Sequence, residues 1–463
     1  MSTSLFSCSS TDELNIDLPT SYTPGNWSTD SDSLTSQIKE NWFEELQNDQ
    51  IHQLVELALK QNFQLKQQAL AIDIKKQQLI IAGSALWPSL DVGLSGNRRK
   101  VISNSATSYS TNVSLDLNLK YELDLWGKLS DSEQQANLEL MAQQASYTQA
   151  KQQLVADVII AWFSAIEANQ LVVLYKKRAH NTQQNLLIIE SGYQQGLNSA
   201  LDVYLSRNEV NNELARITEQ QTKKTLAIRQ LEQLLGEYPT GKLLVEVDLP
   251  EVTSNIPLGL PSELVTRKPE LLASWYQLLA KNSALAYAHK QRFPSVSLMA
   301  SISDEQDDVS DLLSSSLLGW SLLGNLAMPI FNAGKLEANE ERTRIELKQA
   351  EQGYLSTLHT AFVVVENAVT QEASLNERYQ VMLKAQLNAI AAQTLSFEQY
   401  QSGLVNYTTV LDAQSRSYDA QSTVIQLQNQ LIINRVNLHI ALGGNFSESS
   451  ITESNKRNTQ NKD

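Results

Sequence analysis

One cysteine, Cys8, stands among 463 residues, so no disulfide can close within the chain and no thiolate cluster can hold zinc. The five histidines are scattered and add no metal-ligand spacing. Proline (10) and glycine (17) are scarce, which leaves few punctuated turns and predicts a chain dominated by long helices rich in Gln, Leu, Ala and Asn. Positive charge is short as well. With 36 Lys and Arg against 51 Asp and Glu, the net charge is −15, the wrong sign for neutralising phosphates, so nucleic acid is excluded as a partner. No run of about 18 apolar residues occurs, so no helix is expected to span a bilayer and any crossing must use strands. There is no glycine-rich phosphate loop, nucleophile elbow or acid pair in an active-site setting. No catalytic residue, cofactor or metal is therefore assigned, and the chain does not read as an enzyme.

Leu5-Phe6-Ser7 ahead of Cys8 looks like the end of a bacterial lipoprotein signal, which makes Cys8 the lipidation candidate. A secretory signal needs a charged start and an apolar stretch of about 7 to 15 residues, more than seven residues supply. Either the start lies upstream or the match is incidental.

What the chain does have is a duplication. Leu86-Trp87-Pro88-Ser89-Leu90 matches Arg292-Phe293-Pro294-Ser295-Val296, with prolines 206 residues apart. The Leu-Trp-Gly-Lys-Leu of 125–129 matches Ile330-Phe331-Asn332-Ala333-Gly334-Lys335-Leu336, Tyr193-Gln194-Gln195-Gly196-Leu197 matches Tyr400-Gln401-Ser402-Gly403-Leu404, and Leu234-Leu235-Gly236 matches Ala441-Leu442-Gly443. Each of these glycine pairs is 207 apart. Four landmarks in one order at one spacing require a tandem repeat.

Each repeat is predicted to open with a helix, at 51–86 in the first, where Leu54, Leu57, Ala58, Leu65, Ala69 and Ile72 recur at helical spacing up to the proline. The period then changes to two. In 113–125, Val113, Leu115, Leu117, Leu119, Tyr121, Leu123 and Leu125 alternate with polar residues; Leu90 onward, Val296 to Ile302 and Trp320 to Met328 are weaker counterparts. Four strands per chain follow. Strands of about 9 to 11 residues with apolar-out, polar-in alternation mark a membrane barrel, but four cannot close one, and open edges are not tolerated in lipid. Several chains must contribute, and three would supply twelve strands. Tyr121, Trp126 and Trp320 are candidates for an interfacial aromatic girdle.

Helical stretches of about 68 residues follow each strand pair, 127–194 and 335–402, equivalent to about 100 Å each. Beyond Gly196 and Gly403 the pattern resumes for about 35 residues, so both glycines are expected at hairpin tips. Leu154, Val158, Trp162 and Ile166 beside Val155, Ile159 and Phe163 give a broad apolar seam. The expected organisation is an N-terminal segment 1–40, a first repeat 41–237, a proline-bearing linker 238–261, a second repeat 262–444 and a polar, disordered tail 445–463.

These landmarks resemble the TolC-like outer-membrane factors, and more narrowly the lipoprotein outer channels of tripartite efflux pumps in Gram-negative bacteria. The resemblance runs from about Asn41 to Gly444. It is carried by Gly259-Leu260-Pro261-Ser262-Glu263-Leu264, Arg267-Lys268-Pro269-Glu270, Pro329-Ile330-Phe331-Asn332-Ala333-Gly334 and Asn406-Tyr407-Thr408-Thr409-Val410-Leu411-Asp412-Ala413-Gln414. It implies an α+β membrane protein: a homotrimer with a twelve-stranded barrel in the outer membrane, a long α-helical barrel in the periplasm, and passive export of drugs, toxic organics or metal ions. It further implies an inner-membrane transporter and a periplasmic adaptor as partners, the adaptor docking on Gly196, Leu197, Asn198 and Ser199 and on Gly403, Leu404, Val405 and Asn406. Asp412 is the implied aperture residue, its carboxylate repeated by symmetry into a cation-favouring ring; Thr408 one turn earlier and Arg416 after it complete the aperture set. A protein-secretion duct of the same fold and a soluble coiled-coil scaffold are the rival readings, and the second leaves the repeated strands unexplained.

Overall fold

The computed structural model describes residues 24, 27–28, 49–103, 106–246, 248–250, 261–313 and 318–444. Cys8, the tail from 445 and residues 247 and 251–260 of the linker expected at 238–261 lie outside them. Twelve elements follow one order twice. The first set is α1 (Asp49–Gln61), α2 (Phe63–Ser84), β1 (Ser89–Ser103), β2 (Ala106–Leu123), α3 (Lys128–Gln194) and α4 (Ala200–Leu234). The second is α5 (Pro261–Arg267), α6 (Pro269–Lys290), β3 (Ser295–Gln306), β4 (Gly319–Ala327), α7 (Lys335–Gln401) and α8 (Tyr407–Ala441). Three of the four equivalent helix pairs have equal lengths: α2 and α6 are 22 residues, α3 and α7 are 67, α4 and α8 are 35, whereas α1 has 13 and the described α5 has 7.

The landmark glycines also agree in backbone angle. Gly127 and Gly334 sit at φ 71° and 82°, Gly196 and Gly403 at 73° and 72°, Gly236 and Gly443 at 74° and 75°. An L side chain rarely adopts that region, so the repeat signal survives where the backbone tolerates little else.

The single helix expected at 51–86 is two. Asn62 interrupts it: its Oδ1 accepts from the Leu65 amide at 3.0 Å as an N-cap, and its Nδ2 donates to the Leu234 carbonyl at the end of α4 at 2.9 Å. In the second repeat the break falls at Lys268, 206 residues on, and Pro269 opens α6. Two unrelated residues thus make the same interruption.

The four strands form one antiparallel sheet in the order β1-β2-β3-β4. The strand expected at 113–125 starts seven residues earlier and stops at Leu123. Asp124 leaves it because its carboxylate is recruited to the start of α3, accepting from the Leu129 and Ser130 amides at 2.8 Å each. Met328 lies just past β4. The register keeps the alternation intact. Leu90, Val92 and Leu94 pair with Leu119, Leu117 and Leu115, and Val296 and Ile302 pair with Leu326 and Trp320. The opposite face pairs Asp91 with Asn118, and its serines bond across strands, Ser95 to Ser114 and Ser301 to Ser321, both at 2.8 Å. Among the described residues much of the apolar face is uncovered, Val92 being 73% exposed and Trp320 79%, while Val113 on β2 is buried. Strands β1 and β4 each have, among the described residues, one neighbour and one open edge.

The chain divides into two compact units. One, Leu70–Ser146 with Glu270–Thr357, holds the sheet and the helix ends that lead into and out of it. The other, comprising the described parts of 20–69, 147–269 and 358–463, holds the apolar core. There the seam expected on α3 is buried on both columns: Val155, Ile159, Trp162, Phe163 and Ile166 pack with Ile51 and Val55 of α1, Leu231 of α4, and Ile432 and Val436 of α8. This corrects one expectation. A stretch of α3 does reach a mean hydropathy of 1.6 over 18 residues, long and apolar enough to cross a membrane by length and composition, because its few polar residues do not break the average. With 61% of it buried inside the protein, its apolarity is accounted for by packing.

After α4 the chain is pinned by Glu232, whose carboxylate accepts from Thr240 Oγ1 at 2.8 Å and from the Gly241 and Lys242 amides at 2.6 and 3.2 Å. Burial pushes this carboxyl up, but the bonds from Gly241, Thr240 and Lys242 outweigh it and hold it below the usual range. Glu232→Ala strands two amides and is expected to cost about 1–3 kcal/mol locally, read as lost hydrogen-exchange protection at Gly241 and Lys242. Since the folded value is lowered, the wild-type anchor is at full strength above the unfolded glutamate value of about 4.3 and weakens as pH falls through the folded one. Protection that did not change with pH would contradict this.

Candidate aperture and hairpin tips

Helix α3 ends because Gly196 takes the left-handed turn. Leu197 N donates to Gly192 O at 2.8 Å and Gly196 N to Tyr193 O at 3.0 Å, the paired bonds of a Schellman ending. Gly403 ends α7 in the same way, with Leu404 N to Gln399 O and Gly403 N to Tyr400 O, both 2.9 Å. A Cβ at Gly196 or Gly403 would meet nothing within 4 Å, so backbone angle and not space demands glycine there.

The restarts differ. Ser199 opens α4 with a capping box: its Oγ accepts from the Asp202 amide at 3.2 Å and Asp202 Oδ2 accepts from the Ser199 amide at 3.1 Å. Asn406 holds the same place before α8, but its Oδ1 accepts from the hydroxyls of Thr408 (3.0 Å) and Thr409 (2.9 Å). Asn198 turns inward and donates to Ile189 O at 3.0 Å. Leu197 and Leu404 project outward, 77% and 74% exposed, while Val405 is half-buried.

The two tips pack against each other. Ile189 and Val203 from the first hairpin meet Tyr407 and Val410 from the second, and Tyr407 donates to Ser206 Oγ at 3.3 Å. The Tyr400 ring lies tilted against that of Tyr407 with centroids 5.3 Å apart; burial, then the Asp202 charge, push its phenol up to about 12. Both tyrosines are neutral spacers at any physiological pH.

Helix α8 is therefore two-sided. Tyr407, Val410, Gln414, Ser417 and Tyr418 are buried, and Thr408, Asp412 and Arg416 follow one another on the exposed side. Asp412 is brought together with Arg416: Oδ2 accepts from Nε at 2.9 Å, one turn apart on the helix, and both side chains stay well exposed. The implied aperture acid consequently carries its own counter-ion, and the field it offers is that of an ion pair.

Sequence reading missed a second charged pair. Arg178 of α3 and Glu213 of α4 are 1% and 0% exposed, joined at 2.8 Å. The guanidinium is stacked between Tyr175 (4.5 Å) and Tyr418 (4.3 Å), so a residue of the second hairpin closes over a pair within the first. Arg216 reaches the same Glu213 oxygen at 3.0 Å. Burial pushes the Glu213 carboxyl above its usual range, with Arg178 and Arg216 opposing. A signal existed: Arg178 and Glu213 lie nearly equal distances either side of the Gly196 tip, which an antiparallel hairpin sets opposite each other. The matching positions of the second hairpin are Ala385 and Ala420.

A family model described as outer membrane efflux protein matches this chain twice, over residues 54–237 and 260–444. The chain belongs to the outer membrane efflux protein family. Among its relatives, the toluene efflux pump outer membrane protein TtgF of Pseudomonas putida is 28% identical, over 91% of this chain and 90% of that one. The cation efflux system protein CusC of Escherichia coli is 26% identical over 87% of each. The crystal structure of the Campylobacter jejuni CmeC outer membrane channel superposes with a TM-score of 0.85, covering 94% of both chains at 22% identity, a likeness of fold. Members of this family and its structural neighbours are outer-membrane channels and not enzymes, and the outer membrane is where this chain belongs.

Glu213→Ala leaves Arg178 buried without its partner, whereas Arg178→Ala leaves Glu213 its second partner Arg216. Glu213→Ala is expected to destabilise the helical hairpins by about 3–5 kcal/mol and Arg178→Ala by less, whereas Arg178→Met with Glu213→Leu restores most of it. Thermal loss of helix ellipticity checks both; equal losses in the single and double variants would show that tyrosine stacking, and not charge pairing, holds the site.

Proposed function

We propose that three copies of this chain close a twelve-stranded barrel in the outer membrane and form the passive exit duct of a tripartite efflux system. The observation that carries this is the sheet: four strands with one apolar face, one polar face, and open edges at β1 and β4. Backbone groups on those edges cannot be left unpaired in hydrocarbon. Pairing β4 of one copy with β1 of the next removes every edge and turns the polar face toward a water-filled lumen.

The paired 67- and 35-residue helices then continue the duct into the periplasm. The tips at 196–199 and 403–406, each presenting an exposed leucine, take the periplasmic adaptor, and an inner-membrane transporter supplies the energy. The cargo belongs with drugs, toxic organics or metal ions; relatives named for toluene and for cations support the last two. Cys8 adds a lipid anchor. Asp412, repeated three times, constricts the periplasmic end, with Thr408 and Arg416 on the same exposed stripe; the ion pair with Arg416 tempers the ring's preference for cations.

Single-channel recording in planar bilayers, with the mass of the detergent-solubilised protein, tests the assembly and the aperture together. Trimers giving discrete steps are expected, and Asp412→Ala, which leaves Arg416 alone, is expected to shift selectivity toward anions and raise conductance. Conducting trimers indifferent to the substitution would keep the duct and discard Asp412 as its constriction. A monomer that never conducts would remove the barrel.

A further inference from the structure

The β1–β2 hairpin is longer than a bilayer needs. Its register runs from Ser89 opposite Lys120 to Ser103 opposite Ala106, whereas β3 and β4 pair only as far as Ser303 opposite Gly319. Along β2 the apolar face runs from Leu123 to Val113, about 33 Å of strand, or about 25 Å of membrane depth at the usual tilt. That is one apolar belt. The hairpin continues beyond it on the side away from the helices.

On the same face as Leu90, Val92 and Leu94, the next residues outward along β1 are Gly96, Arg98 and Lys100. Their cross-strand partners are Val113, Thr111 and Tyr109. Arg98 and Lys100 both lie over the Tyr109 ring, at 5.5 and 5.7 Å from its centroid. Both cations are exposed, and among the described residues neither takes part in a salt bridge. On the same sheet face, Asp304 opposite Leu115 accepts from the Leu313 amide at 2.7 Å, and Asp308 beyond β3 caps the short turn at 309–311. In a chain of net charge −15, two unpaired cations and a tyrosine thus sit on the lipid-side face, directly above the apolar belt.

We infer that Arg98 and Lys100, framed by Tyr109, form a docking site for the phosphorylated glucosamine headgroup of lipid A in the outer leaflet. The inference rests on the barrel reading above, which sets this face toward lipid and the hairpin end outward. The charge is complementary. Side chains two apart on one face stand about 7 Å from each other along the strand, close enough for one phosphate to accept from a guanidinium and an ammonium together, with the Tyr109 ring at the headgroup level where aromatic residues favour the interface. Inner-leaflet phospholipids meet the other end of the belt, so the site reads the outer leaflet.

Native mass spectrometry of the purified protein with added lipid A, phosphatidylglycerol or phosphatidylethanolamine tests this, with planar-bilayer conductance run on the same samples. Wild type is expected to retain lipid A at least about tenfold better than Arg98→Ala/Lys100→Ala, phosphatidylglycerol more weakly, and phosphatidylethanolamine hardly at all; Arg98→Lys/Lys100→Arg is expected to retain most of the binding. Equal lipid A retention by wild type and the alanine pair would overturn the site, and so would phosphatidylglycerol binding as well as lipid A. Conductance separates the two failures: a variant that conducts as wild type is folded and reports on the site alone, whereas wild type that never conducts withdraws the barrel on which the site depends.

Discussion

Everything in this molecule answers to a sheet that cannot be finished by its own chain. Four antiparallel strands with one apolar face leave two rows of peptide groups open, at β1 and at β4. In water such edges are a hazard; in hydrocarbon each unpaired group costs several kcal/mol. The apolar residues of the outer face, including Leu90, Val92, Leu322 and Leu326, are exposed in the chain by itself. An uncovered face and two open edges are satisfied together only by further copies and by lipid. A soluble scaffold would satisfy neither.

Duplication supplies the elements, and divergence distributes the work. At three left-handed turns, Gly127/Gly334, Gly196/Gly403 and Gly236/Gly443, the two halves keep glycine at similar φ. Where only a break is needed, they solve it differently, with the Asn62 side chain in one half and Pro269 in the other. Where a buried seam must be filled, the first hairpin carries Arg178 and Glu213 and the second carries Ala385 and Ala420. A buried ion pair adds little net stability over a well-packed apolar pair, so its presence in only one hairpin marks a difference between them that stability alone does not require. Tyr418 from the second hairpin, stacked on Arg178 at 4.3 Å, ties that difference to the helix bearing Asp412.

Much of the architecture was legible in the residues because it rests on period and on glycine. The change from helical to alternating spacing after Pro88 and Pro294, the long helices after Gly127 and Gly334, and the hairpins at Gly196 and Gly403 all follow from local rules. What local rules hid was tertiary. The break at Asn62 depends on a carbonyl 172 residues away, at Leu234. The early end of β2 depends on Asp124 being drawn to the amides of Leu129 and Ser130. The outer half of β2, 106–112, is rich in Ser, Thr and Asn and lacks the apolar alternation that announces a membrane strand, because it reaches past the apolar belt. At the tips the glycines were visible, but the pairing of Asp412 with Arg416 needed the helix register to be fixed first.

Helix α8 shows how one amphipathic element can serve both demands. Its buried stripe, Tyr407, Val410, Gln414, Ser417 and Tyr418, binds it to the first hairpin through a small apolar cluster and a few polar contacts. Its exposed stripe, Thr408, Asp412 and Arg416, contributes nothing to that packing. Residues on the outer stripe are thus free to change charge without unfolding the hairpin, while residues on the inner stripe set where that charge stands. The separation is a consequence of the 3.6-residue period: positions 408, 412 and 416 share a face, and 407, 410, 414 and 418 share the opposite one. The charge of the outer stripe and the rigidity of the tip are therefore adjustable independently along a single stretch of a dozen residues, provided the tyrosines that separate the two hairpins stay neutral and buried.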